Sequence, residues 1–347
     1  MRTIEWKDGK VVTIDQTKLP HEFVLIEMEN CEQVAEAIRT MKIRGAPLIG
    51  AAAAYGLALT AYNSKAKVRE QLLAELECCA EKLRQTRPTA VNLFWAVDRV
   101  LKTAHSVEED VKTLAEKVVE EANLIAEEDA KANRRIGEFG SKLIEDGDTI
   151  LTHCNAGSLA TVDYGTALGV IRAAWENGKK IKVFATETRP KLQGARLTAY
   201  ELKREGIPVT LVTDNMVGYI MYRGLIDKVI VGADRIVRDA VINKIGTYSI
   251  AVLAYVHKIP FYVAAPTSTF DFERVSSEVV IEERNPQEVT HVFSVPIAPK
   301  DVNVMNPAFD ITPLKYVNAI ICERGIVRPE KTNFELRIEA LNLTDSQ

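Results

Sequence analysis

The sequence predicts an α/β protein in which a Rossmann-like parallel sheet forms the C-terminal domain and a mostly helical N-terminal domain, preceded by a small β cap, comes first. Three observations carry this reading. Between residues 149 and 266, five short β-rich runs (TILTH, IKVFATE, PVTLVT, KVIVGAD and PFYVAAP) alternate with helical segments, the pattern of a parallel sheet covered on both faces. Residues 30–146 contain no such alternation and space their apolar residues at helical intervals. Residues 1–29 read as strands, with IEW and VVTI flanking Asp8-Gly9, a dipeptide suited to the positive φ of a tight hairpin.

In chain order, the cap ends with EFVLIEM, and Asn30 is a plausible N-cap for the first helix. Helical periodicity follows at 34–41, 48–59, 68–83 and 111–128. The domain boundary is expected inside the charged helix 107–145, where helix-only patterning gives way to βα units, so the domains are 1–125 and 126–347. Residues 284–313 carry five prolines and read as an irregular excursion before a last strand at 317–322.

Composition narrows the function. The 347 residues are 47 % hydrophobic and include 44 basic and 48 acidic side chains, a formal charge of −4. Such a chain buries a substantial core and has no positive field to hold nucleic acid or an anionic membrane. No uncharged apolar stretch of about 18 residues requires a membrane span, and the N-terminus does not read as a secretion signal, so a cytoplasmic protein is expected. Five cysteines (Cys31, Cys78, Cys79, Cys154 and Cys322) without C-x-x-C spacing argue against a disulfide framework and a thiolate zinc site. All but Cys154 lie in apolar patterns and read as core filler. No cluster with metal-ligand spacing occurs, so neither metal nor cofactor is expected.

In an open parallel sheet, ligands bind beyond the carboxyl ends of the strands. The first strand runs into His153-Cys154-Asn155-Ala156-Gly157-Ser158 and the fourth into Gly232-Ala233-Asp234-Arg235. Neither G-x-G-x-x-G nor G-x-x-x-x-G-K-[ST] is present, which speaks against a nucleotide site. Cys154 is either a small buried hydrophobe or a thiol at a helix N-terminus, where the dipole favours the thiolate. Asp234 is either an N-cap or a carboxyl kept protonated by apolar strand ends, as a general acid requires. Arg44, Arg87, Arg189 and Lys244 are candidates for holding an anion, although arginines are more often solvated. His153 and His257 read as structural.

With these residues in place, the chain resembles the methylthioribose-1-phosphate isomerases, in the superfamily shared with initiation factor 2B regulatory subunits and ribose-1,5-bisphosphate isomerase. The resemblance is near full length and rests on seven blocks in order: RGAPLIGAAAAYG at 44–56, TRPTAVNLFWAVDR at 86–99, LTHCNAGSLATVDYGTALGVIRAA at 151–174, ETRPKLQGARLTAYEL at 187–202, TDNMVGYIM at 213–221, VIVGADRI at 229–236 and NKIGTYSIAVLA at 243–254. It implies that Asp234 is the proton donor and Cys154 the second catalytic group, as base or transition-state stabiliser. It also implies substrate contacts from Arg44, Gly45, Ala46, Arg87, Gln193, Asn243 and Lys244, a sugar-phosphate substrate, and a homodimer formed through the C-terminal domain. Two departures stand out. The segment RIVRDAVI between Asp234 and Asn243 is about one residue shorter than in many relatives, and Val162-Asp163 replaces smaller residues, with Asp163 expected as a solvated or capping carboxylate. The rival readings are ribose-1,5-bisphosphate isomerase, favoured by a second basic cluster, and a non-enzymatic regulatory subunit, which needs neither thiol nor acid.

Overall fold

Asp8 and Gly9 adopt φ of 51° and 78°, so the chain reverses between β1 (Ile4–Lys7) and β2 (Lys10–Ile14) and β3 (Leu25–Met28) completes an antiparallel cap. The computed structural model describes residues 1–87 and 90–329. Asn30 caps α1 (Cys31–Arg39) by accepting the Gln33 N–H. Helix α2 (Ala46–Asn63) is apolar almost all round, and such a helix must be buried on every side. It packs against α1, α3 (Arg69–Arg84), α4 (Val91–Ser106) and α5 (Val111–Ser141). Along α5 the core changes: Leu114 to Ala130 pack among the helices, whereas Ile136 and Phe139 pack beneath the sheet.

Cys31 and Cys79 form a disulfide between α1 and α3, which corrects the expectation of free filler thiols. Both are buried. Cys78 is exposed, also against expectation, while Cys322 is buried as expected.

The main sheet uses all six expected C-terminal strands: β4 (Thr149–Thr152), β5 (Lys182–Thr186), β6 (Val209–Val212), β7 (Lys228–Val231), β10 (Phe261–Ala264) and β15 (Ala319–Cys322). A seventh, β16 (Gly325–Val327), adds antiparallel at the edge. The order is β16-β15-β10-β7-β4-β5-β6. From β4 the chain winds outward through β5 and β6, then returns to the other side through β7, β10 and β15. The order therefore reverses between β4 and β7, which pair in parallel, and such a switch point opens a crevice at the strand ends.

Helices α6 (Ala167–Glu176), α7 (Ala199–Arg204), α8 (Val217–Tyr222) and α9 (Thr247–Val256) connect the strands. A second sheet, in the order β11-β8-β9-β14, is not expected from the sequence, since its strands do not alternate with helices: β8 (Arg235–Val237), β9 (Ala240–Lys244), β11 (Phe270–Asp271) and β14 (Phe309–Pro313). Within the excursion before β14 lie a single helical turn, α10 (Gln287–Thr290), and a small hairpin, β12 (His291–Val292) and β13 (Val295–Pro296). Among the described residues no helix is long and apolar enough to cross a membrane.

Candidate active site

The switch point places Cys154 just beyond β4 and Asp234 just beyond the adjacent β7. Both line a cavity of about 80 Å³, and so do Arg44, Gly45, Ala46, Arg87, Gln193, Asn243 and Lys244. All nine site residues expected from sequence thus converge on one space, although their segments span both halves of the chain. Arg189 does not line it: its guanidinium donates to the carbonyls of Pro190 and Val289, at 2.9 and 2.8 Å. Pro88 and Thr89, next to Arg87, lie outside the described residues.

Arg44 and Gly45 lead into α2. Gly45 has φ of 99°, and a Cβ there would lie 2.6 Å from the Ala160 backbone, so only glycine permits this approach. Behind it, the first turn of α2 leaves N–H groups without intrahelical partners, a natural seat for an anion. Arg44 is buried and its guanidinium is forked: Nη1 donates to Asn155 Oδ1 at 2.7 Å and Nη2 to Asn155 O at 2.8 Å.

Cys154 does not sit at a helix N-terminus. After β4 the chain turns through Cys154 at φ 62°, makes a short 3₁₀ turn at Ser158–Ala160 and enters α6 only at Ala167. No helix dipole therefore supports a thiolate, and burial pushes the Cys154 thiol up from its ordinary value. Lys244 and Arg44 pull it back down, while the Asp234 carboxylate pushes it further up. The loop is pinned at the cysteine, whose N–H donates to Thr188 Oγ1 at 2.9 Å and whose carbonyl accepts Thr198 Oγ1 at 2.5 Å.

Asp234 is no helix cap either, since it leads into β8 and its N–H donates to Ile242 O at 3.0 Å. Burial raises its pKa, as an acid at this position requires, against the pull of Lys244, Arg87 and Arg44. Lys244, on β9, is lowered by burial; it donates to Ala308 O at 2.8 Å and lies over the Phe309 ring. Asn243 donates to Thr247 Oγ1 at 3.0 Å. The β8–β9 hairpin thus brings Asn243 and Lys244 to the cavity.

Two of the side chains that line the cavity carry a buried polar atom without a partner. Arg87 meets Glu282 at 3.3 Å through Nη2, but its buried Nε has no partner, and neither has Gln193 Oε1. Buried polar atoms are usually hydrogen-bonded; seven others among the described residues also lack a partner, and these two are set apart by their place at the cavity, where a ligand can reach them.

His153 stands behind the loop as expected, bonded to Thr186 Oγ1 at 2.6 Å and Ile245 O at 2.9 Å. Burial lowers its pKa, which keeps the ring neutral, so Nε2 donates to the carbonyl. Asp163 is neither solvated nor a helix cap: it pairs with the N-terminal ammonium at 2.9 Å and with Arg134 at 3.1 Å. Sequence reasoning missed Asn155 as the seat of Arg44, and it missed Lys191, Arg284 and Phe309, which also line the cavity. Arg284 and Phe309 belong to the long proline-rich excursion, whose length without regular structure was itself a functional signal.

Because the Asp234 charge raises the thiol pKa, Asp234→Asn is expected to move the pH dependence of Cys154 alkylation to lower pH. An unchanged profile means the two groups do not interact.

The sequence profile of the Initiation factor 2 subunit family matches residues 42–329. Methylthioribose-1-phosphate isomerase of Acetivibrio thermocellus is 55 % identical over 95 % of this chain and 97 % of its own length. The isomerase of Geotalea daltonii is 56 % identical over 98 % of each chain. Among solved structures, 5-methylthioribose 1-phosphate isomerase from Pyrococcus horikoshii OT3 superposes with a TM-score of 0.90 at 48 % identity, covering 98 % of this chain and 95 % of that one. A structure titled translation initiation factor eIF-2B, subunit delta, from A. fulgidus superposes at 0.87 with 52 % identity, over 99 % and 100 %. The chain belongs to the Initiation factor 2 subunit family, in the group of the methylthioribose-1-phosphate isomerases.

Proposed function

We propose that this chain is an aldose-ketose isomerase that converts 5-methylthioribose 1-phosphate to 5-methylthioribulose 1-phosphate in methionine salvage. The observation that carries the reading is the meeting of Cys154 and Asp234 in a cavity rimmed by Arg44, Arg87 and Lys244, with Arg87 Nε and Gln193 Oε1 unmatched.

The phosphate blocks the anomeric oxygen, so the ring cannot open as a free sugar's does. The phosphate rests on Arg44, Arg87 and the backbone of Gly45 and Ala46, with Asn243 at the sugar and Gln193 Oε1 accepting a sugar hydroxyl. Asp234 gives its proton to the ring oxygen as the C1–O bond breaks. Cys154 takes the proton from C2 and gives a proton back at C1 of the resulting enol, while the C2 hydroxyl returns a proton to the Asp234 carboxylate as it becomes the ketone. Burial raises the thiol pKa, and Lys244 and Arg44 oppose it; on this reading the cysteine acts as base in the thiolate form that those two cations favour. A second reading has one observation behind it: burial favours the neutral thiol, which suits a hydride moving from C2 to C1 while Cys154 steadies the intermediate. In D₂O, proton transfer places deuterium at C1 of the ketose and a hydride shift places none.

Two features favour the thioether substrate over ribose 1,5-bisphosphate. Beside Asp234 lies a recess of about 40 Å³ that Arg87 and Arg235 line together with a larger set of apolar side chains, among them Ile49, Ile242, Val279 and Phe309. The additional cations Lys191 and Arg284 are matched by Glu288, and Arg284 also by Glu282, so they offer a second phosphate little. With each sugar phosphate supplied in turn and ketose followed by NMR, methylthioribose 1-phosphate is expected to turn over. Cys154→Ser and Asp234→Asn are expected to lose about 10²–10⁴-fold in kcat with the fold intact, the usual worth of acid–base groups. Near-normal turnover in either variant removes the pair, and preference for the bisphosphate removes the substrate assignment.

The proposal includes a cytoplasmic homodimer. Tyr219, Tyr222, Tyr255 and Val256 on α8 and α9 are 59, 78, 64 and 65 % exposed, with Tyr248 also exposed. Such an aromatic face marks an interaction surface. The buried Cys31–Cys79 bond is shielded from thiol reductants, which is compatible with a reducing compartment. Sedimentation is expected to give a dimer and Tyr222→Glu a monomer; an unchanged dimer in the variant places the interface elsewhere.

A further inference from the structure

We propose that Glu201 is the positioning residue for Arg44, acting through Asn155, and that it sets the affinity of the site for the substrate's phosphate. This rests on the reading that Arg44 binds the anion. Among the described residues Arg44 pairs with no carboxylate: its fork closes on the amide oxygen and main-chain carbonyl of Asn155. Asn155 is in turn oriented from below, where Nδ2 donates to Glu201 Oε1 at 2.9 Å and to Thr198 Oγ1 at 3.2 Å. With Nδ2 committed downward, Oδ1 must face Arg44; the amide cannot flip without breaking both sides.

Glu201 is itself held firmly. It is buried, and its second oxygen accepts Ser158 N–H at 2.8 Å and Ser158 Oγ at 2.6 Å, with Arg172 at 3.4 Å. A Cβ on Gly157 would lie 2.4 Å from the carboxylate, so glycine lets the loop settle on it. A π-helical turn, Gly194–Thr198, leads into α7 and places three groups at once: Gln193 at the cavity, Thr198 on the Cys154 carbonyl and Glu201 beneath the loop. The Glu201 charge also favours the charged form of the buried Arg44. A guanidinium fixed in this way meets an incoming phosphate without losing rotamer freedom.

The test is a double-mutant cycle with methylthioribose 1-phosphate, using Glu201→Gln and Arg44→Lys, alone and together. Glu201→Gln is expected to raise KM about tenfold with kcat changed less, and to add under about twofold in the Arg44→Lys background, because groups acting as one unit are non-additive. A merely structural glutamate gives additive losses, and that result, or an unchanged KM, overturns the proposal. If Glu201→Gln does not fold, Asn155→Ala takes its place in the cycle with the same expectation and the same refutation. The cycle is repeated by calorimetry with inorganic phosphate. Coupling seen there in a protein that does not isomerise methylthioribose 1-phosphate overturns the substrate reading and upholds the relay; additivity in both overturns the relay.

Discussion

A buried guanidinium joined to a strand-end loop holds the two halves of this molecule in working register. Arg44 leaves the helical part and Asn155 leaves β4, 111 residues away, and their two hydrogen bonds close the gap at the point where chemistry is proposed. The close contact of Gly45 with Ala160 backs the same junction. The apolar, almost fully buried α2 gives it a rigid support, since a helix packed on all sides has no direction in which to yield. The proposed phosphate seat at the start of α2 and the thiol beyond β4 therefore depend on one contact.

The sheet supplies the other half of the arrangement. Reversal of strand order between β4 and β7 sets Cys154 and Asp234 on neighbouring strand ends, while the β8–β9 hairpin brings Lys244 back to both. Burial pushes the thiol, the acid and the lysine toward their neutral forms; Lys244 opposes that push on the thiol and the acid, and they oppose it on Lys244, whereas the Asp234 charge adds to it at the thiol. A site balanced in this way changes protonation with small changes in its contents, which suits a reaction that moves protons between neighbouring atoms.

Much of this was legible in the sequence because it follows from local rules. Five β-rich runs alternating with helices specify a parallel sheet, and residues just past such runs must face the crevice; Cys154 and Asp234 stood out for that reason. Asp8-Gly9 and Asn30 were legible because turns and caps depend on a few adjacent residues. What stayed hidden depends on distance in the chain. No local pattern pairs Arg44 with Asn155 or Cys31 with Cys79, because each pair joins separate elements. The expected dipole at Cys154 failed because the loop takes twelve more residues to reach Ala167, a length that a Gly- and Ser-containing stretch does not announce. The second sheet escaped because β8 and β11 have only three and two residues and β14 lies inside the proline-rich excursion, so its strands do not alternate with helices as those of the main sheet do.

The most direct measurement is a crystal structure with methylthioribulose 1-phosphate bound. The account requires the phosphate within about 3 Å of the Arg44 guanidinium and the first N–H groups of α2, with the C1–C2 bond between Cys154 Sγ and the Asp234 carboxyl. A phosphate seated instead on Lys191 and Arg284, or a C1–C2 bond out of reach of either group, would contradict it.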